Sequence, residues 1–219
     1  MDGFDPEISL IEQSLVNRLN QYSRVKWYQQ VEFPTGFATF YQDAGCLVKK
    51  GRAVGIECDG PDFHRDHVRE FCRDALILGT GRLAQIYHVE AWAIDRRYTD
   101  WLFILGVLEP EIFTPASLEA INGLAQANDI HRGTRIKERY ADFIYRRSPE
   151  METVKDFIQF ARSHSGITFR KLVEIAKEKR SWWVPVDRSS YTPFWRTFDA
   201  KFVRGPHVLS PDRLYERPF

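Results

Sequence analysis

GIECDGPDFH, residues 55–64, is the stretch on which the fold turns. In an extended strand successive side chains point to opposite faces, so Val54, Ile56 and Cys58 line one face and Glu57 and Asp59 the other. Two carboxylates on one strand face repel each other unless a cation or a proton comes between them. Asp43, at the end of the preceding hairpin strand, is placed to supply a third oxygen. Three carboxylates with the Cys58 carbonyl nearby form a hard donor set that suits Mg²⁺ or Mn²⁺ and not zinc. Such an ion activates water and stabilises the charge that develops in phosphodiester hydrolysis. The competing reading is a solvated strand end, because Asp59-Gly60 is also an ordinary turn signal.

Outward from this stretch the apolar pattern sets the elements. Ile8, Ile11, Leu15 and Leu19 follow helical spacing across residues 7–21. Glu12 falls inside that apolar stripe, where a carboxylate is costly unless it is paired or metal-linked. Short runs of β character follow at 25–33, 37–42, 46–48 and 53–59, with turns expected at Pro34-Thr35-Gly36 and Lys49-Lys50-Gly51. A helix is expected over 66–78, closed by Gly79 or Gly81, and then a strand over 83–88. Helices are expected again over 115–127, 135–146, 152–162 and 168–179. The order reads as an α/β or α+β sandwich over 1–108, then a mainly helical region over 109–219.

Composition narrows the function classes. The 219 residues carry 31 Lys and Arg against 30 Asp and Glu, a balance that neither requires nor excludes nucleic acid, since binding depends on a local basic face. Cys46, Cys58 and Cys72 match no CxxC zinc spacing, and their odd number argues against a disulfide framework. The acidic start MDGFDPEIS is unlike a signal peptide, and the apolar run Trp101–Leu108 is far too short to span a membrane. A cytoplasmic protein without a membrane partner is expected.

The same residues carry a family resemblance. IECDG followed by His64, then Arg73-Asp74, a helix, Gly81 and the strand RLAQIYHVEAW (82–92), resembles the very-short-patch-repair-like branch of the PD-(D/E)XK, restriction-endonuclease-like nucleases. It is most similar to small endonuclease domains found alone or at the ends of large helicases. SLIEQSLVNRL (9–19) matches that branch's opening helix, Gln30-Val31 its first strand, and Asp43 its leading aspartate. The resemblance covers about residues 7–95. It implies an α/β, restriction-endonuclease-like core (a mixed central sheet flanked by helices), metal ligation by Asp43 and Glu57, a supporting role for Glu12, and Asp59 where other branches carry lysine. His64 is implied as a general acid or base, or as a phosphate contact. The 13 residues between Asp43 and Glu57 make a long spacer with two lysines in it, and Arg65-Asp66 competes with Arg73-Asp74 for the Arg-Asp position.

In the second half two apolar stripes, Val154/Phe157/Ile158/Ala161 and Phe169/Leu172/Val173/Ala176, flank the turn Ser163–Gly166 and make a helical hairpin. Arg162, Arg170 and Lys171 give it a basic surface. That surface is either a solvated helix face or a module whose cations contact DNA phosphates. Two function classes follow. One is a Mg²⁺- or Mn²⁺-dependent endonuclease acting on DNA, with Glu12, Asp43, Glu57, Asp59 and His64 at its site and Asp43, Glu57 and Asp59 on the metal. The other is a catalytically inactive nuclease fold that binds nucleic acid or acts as a scaffold in a defence or mobile-element system. An RNA nuclease is a third, weaker option. The partner expected besides DNA is a second copy of the chain, or a helicase or defence-system component.

Overall fold

A computed structural model describes residues 9–48, 51–60, 66–127, 146–147 and 151–179. The chain opens with helix α1 (Leu10–Tyr22). Ser9 and Glu12 stand in capping-box spacing, and the Ser9 hydroxyl accepts from the Glu12 backbone N–H at 3.2 Å. Strands β1 (Trp27–Pro34), β2 (Thr39–Leu47) and β3 (Ala53–Asp59) follow as an antiparallel meander. Helix α2 (His67–Gly79) then crosses over to β4 (Gln85–Glu90), which runs parallel to β3. A two-residue strand β5 (Arg146–Arg147) pairs antiparallel with β4, so the sheet order is β1-β2-β3-β4-β5.

Helices cover both faces of this mixed sheet. On one face α1 packs with α3 (Ala91–Arg96), α4 (Tyr98–Leu108) and α5 (Pro115–Ala127) around Leu15, Leu19, Trp27, Ile56, Trp101 and Ile104. On the other face α2 packs with α6 (Met151–Ser163) and α7 (Phe169–Glu178) around Phe33, Leu76, Ile86, Phe157 and Leu172. The α/β class and the mixed sheet are as expected.

Several boundaries differ from expectation, each for a physical reason. The runs 37–42 and 46–48 are one strand, β2, because β1 and β3 both pair along it and hold Asp43-Ala44-Gly45 extended. The apolar run Trp101–Leu108 belongs to α4, in which Thr99–Gly106 and Leu108 are all buried. Asp66 caps α2, accepting from Arg69 N–H at 3.1 Å, whereas Asp74 lies within the helix and reaches His88. Gly81, at φ 73°, closes α2, donating its N–H to the Leu78 carbonyl, while Gly79 is the last helical residue. Thr168 caps α7, and Gly166 at φ 95° makes the tight turn before it. Of the helix expected over 135–146, Arg146 instead opens β5, and the remainder lies outside the described residues. The Trp- and Arg-rich segment 180–219 lies outside them too.

The boundary expected between 108 and 109 is not marked by a break in packing. Ile112, Phe113 and Ile121 share the cluster of α1 and α4, and α6 and α7 share that of α2. Among the described residues, no helix is long and apolar enough to cross a membrane.

One irregularity shapes the site. Trp27, Ala44 and Cys46 pack into the α1-side cluster, whereas Val31, Phe33 and Phe40 pack into the α2-side cluster. Residues an even number apart on an unbroken strand stay on one face, so both strands reverse phase partway along. In β1 the reversal falls at Gln30, whose φ is 47°, and in β2 at Asp43, between Gln42 and Ala44. Gln30 and Asp43 are the pair left out of an otherwise continuous β1–β2 register.

Candidate functional site

The phase reversal brings polar side chains to the sheet interior beside β3. Val54 and Ile56 turn into the α1-side core, and Glu57 and Asp59 emerge toward α2 as the alternation requires. Glu57 is clamped from two directions. Gln42 Nε2 donates to its Oε2 at 2.6 Å, and an Arg73 guanidinium nitrogen lies 2.6 Å from its Oε1. Arg73 also donates to the Tyr41 carbonyl at 2.7 Å, which ties α2 to β2. Burial pushes the Glu57 carboxyl above its ordinary range, with Arg73 pulling the other way.

Asp43 accepts the Cys58 backbone N–H through Oδ2 at 2.7 Å. Its carboxyl is nevertheless pushed up to about 8, first by burial and then by the charges of Glu57 and Glu12, against the pull of that N–H. Glu12, half-buried on α1, accepts from Gln30 Nε2 at 2.7 Å. Asp43 thus feels, while itself buried, the charges of Glu57 on β3 and Glu12 on α1. The buried Gln42 Oε1 has no hydrogen-bond partner.

Asp59 takes a different part from Glu57. Both of its oxygens lie 3.1 Å from His88 Nδ1, and His88 Nε2 lies 2.8 Å from Asp74 Oδ2. All three side chains are buried. Burial alone would lower the imidazole's pKa, but the flanking charges of Asp59 and Asp74 outweigh it and hold His88 well above its usual value. The result is an imidazolium between two carboxylates, with Arg73 3.8 Å from Asp74 Oδ1. Among the described residues, no three His, Cys, Asp or Glu side chains are already gathered around a point that a metal could take. Asp59 faces His88 on β4, while Glu57 faces Arg73 on α2. Burial, and after it the charges of Asp43 and Asp59, push the Cys58 thiol up.

Set against family models, curated proteins and solved structures, the chain matches none.

The remaining expected site residues are distributed as follows. His64 lies outside the described residues. Arg162, Arg170 and Lys171 are exposed on α6 and α7, and Arg170 and Lys171 both face Glu174, at 3.7 and 3.1 Å. Neither His88 nor Gln42 is among the site residues that the sequence singles out. The alternation of β4 was the available signal for His88, since a buried strand position that is not apolar needs a charged or hydrogen-bonded partner. For Gln42 no such signal existed, because its inward aim depends on the reversal at Asp43.

Proposed function

We propose that this protein is a divalent-cation-dependent nuclease that hydrolyses phosphodiester bonds in DNA, of the restriction-endonuclease-like kind. The observation that carries the reading is the electrostatic coupling of Asp43 on β2 to Glu57 on β3 and Glu12 on α1: burial first, and then those charges, push its carboxyl up to about 8. The order helix, three-strand meander, crossover helix, parallel strand also supports it, because it is the core the resemblance implies.

Asp43 and Glu57 would hold the cation, with Glu12 beside them. The donor chemistry fits Mg²⁺ or Mn²⁺: carboxylate oxygens, an orphaned amide carbonyl at Gln42, and no thiolate or free imidazole among these donors. When bound, the cation supplies Lewis-acid stabilisation of phosphate charge and a lowered pKa for water. The chain's own groups do the rest. Asp43 would hold the cation as a carboxylate, its proton passing to solvent, and Glu57 would ligate it through the edge that Arg73 now pairs with, a guanidinium that would suit a phosphate oxygen pair. The Asp59–His88–Asp74 bridge braces the end of β3 against α2 and β4. His64 remains the proposed proton carrier.

The test is cleavage of supercoiled plasmid and labelled single-stranded DNA with Mg²⁺ or Mn²⁺, beside Glu57→Ala. Cleavage that the variant loses supports the assignment; cleavage that survives the substitution refutes it. A second reading, an inactive nuclease fold that binds nucleic acid, draws on one observation: Glu57 is already neutralised by Arg73, and Asp59 by His88. It predicts salt-sensitive DNA binding that is indifferent to divalent cations.

A further inference from the structure

Two hollows on the α2 side of the sheet meet at Gly81. The first, about 390 Å³, lies over the start of β3, with Tyr28, Phe33, Leu47 and Leu83 as apolar walls and Arg82 beside them. The second, about 500 Å³, lies between the end of α2 and α6, where Leu78, Val154 and Ile158 adjoin Lys155, Gln159 and Arg162. A Cβ built on Gly81 would meet no atom within 4 Å, so nothing divides the two hollows there. Among the described residues, no Asp or Glu lines either one. The strand pattern explains the apolar wall. Trp27 turns into the α1-side core, so Tyr28 faces the α2 side, and the reversal at Gln30 puts Phe33 on that same side. With α2 ending at Gly79, Tyr28 and Leu47 stay 54% and 63% exposed.

The cations here are exposed and held ready. Arg82 Cζ lies 4.7 Å over the centroid of the Phe33 ring, and its guanidinium donates to the Glu32 carbonyl at 2.9 Å. Lys26 Nζ lies 5.1 Å from the centroid of the Tyr28 ring. Lys155 and Arg162 form no ion pair among the described residues, whereas Arg170 and Lys171 both face Glu174. Cations without counter-charges beside exposed aromatic surface match a polyanion that carries planar apolar units. We infer that this groove binds single-stranded DNA, with bases against Tyr28 and Arg82 and phosphates on Lys155 and Arg162. An acidic peptide would use the same cations, but a guanidinium held over a ring offers its plane to a base. Ala53, in the first hollow, lies four residues and about 13 Å along β3 from Glu57, so the groove is apart from the carboxylates and its use requires no divalent cation.

The test is fluorescence anisotropy of a labelled oligothymidylate in EDTA across a salt series, which reads binding independently of cleavage. The wild type is expected to bind, more weakly as salt rises, and Tyr28→Ala and Arg82→Ala each to weaken binding about tenfold. Lys155→Gln with Arg162→Gln should make the logarithmic salt slope shallower by about 0.7 per cation removed. Arg82→Lys keeps the charge but loses the plane, so it should lose affinity as Arg82→Ala does while keeping the wild-type slope. Arg170→Gln with Lys171→Gln should bind as the wild type does. The substituted side chains are exposed, so every variant is expected to melt close to the wild type. A wild type that does not bind the strand overturns the inference, and so do groove variants, or Arg82→Lys alone, that bind as tightly as the wild type. Displacement of the strand by oligoglutamate of equal charge overturns it in favour of an acidic peptide.

Discussion

Asp43 shows how much one residue's surroundings alter its chemistry. An aspartate in the unfolded chain loses its proton near pH 4, whereas in the fold burial, Glu57 and Glu12 push that loss up to about 8. Between those values the folded state holds a proton that the unfolded state lacks. Its stabilising contribution is therefore complete below about pH 4 and is lost as pH rises through about 8. Asp43→Asn stays neutral throughout. In urea unfolding with a chelator present, the variant should gain on the wild type steadily from about pH 4 to about pH 8, by at most about 1.4 kcal/mol per pH unit, and level off above. A difference independent of pH would remove Asp43 from the coupled cluster. His88 is linked to pH in the same direction: its pKa too is raised in the fold, here because Asp59 and Asp74 favour the charged form, so its contribution is present at low pH and is lost as pH rises through the raised value.

At the scale of elements, α2 connects the site to the second half of the chain. One side of it carries Arg73 and Asp74 to β3 and β4, and another carries Cys72, Ala75 and Leu76 into the cluster with α6 and α7. The approach of α6 depends on the absence of a side chain at Gly79. A Cβ there would come within 2.3 Å of Ile158 Cδ1 and 2.6 Å of its Cγ1. Gly79→Ala must push α6 outward or force Ile158 off its rotamer, at a cost of about 1–3 kcal/mol despite alanine's better helix propensity. Denaturant unfolding checks this, and a variant as stable as the wild type or more so would mean that α6 yields freely. At the far end of α7, Lys177 reaches Asp66 at 3.1 Å, so the basic hairpin is tied to the beginning of α2 as well as to its end.

Across the whole molecule, both cores share the one sheet, and the helices of the second half complete the core that α2 begins. Phe157 is fully buried there and stacks edge-on with Phe71 at 5.4 Å between ring centroids. Phe157→Ala should cost about 3–5 kcal/mol. Because α2, β3 and β4 lean on the same cluster, the loss should lower a single cooperative transition seen alike by far-ultraviolet dichroism and tryptophan fluorescence. A biphasic curve, with one phase unmoved by the substitution, would show instead that residues 1–108 fold as a separate unit.

The sequence by itself determined what depends on local pattern. Alternation at Val54, Ile56 and Cys58 placed Glu57 and Asp59 on one face, and β3 has the boundaries that pattern implies. Helical periodicity located α1, α5, α6 and α7 to within a few residues, and capping chemistry at Ser9, Asp66 and Thr168 explains where three of the helices begin. What the tertiary structure alone decided is which of these groups meet. The reversal at Gln30 and Asp43 aims Gln42 at Glu57, the parallel register of β3 with β4 brings His88 to Asp59, and the crossover of α2 delivers Arg73 to Glu57. The physical reason is range. Periodicity and caps act over three or four residues, whereas these contacts join positions 15 to 29 residues apart and depend on how the sheet and its helices pack.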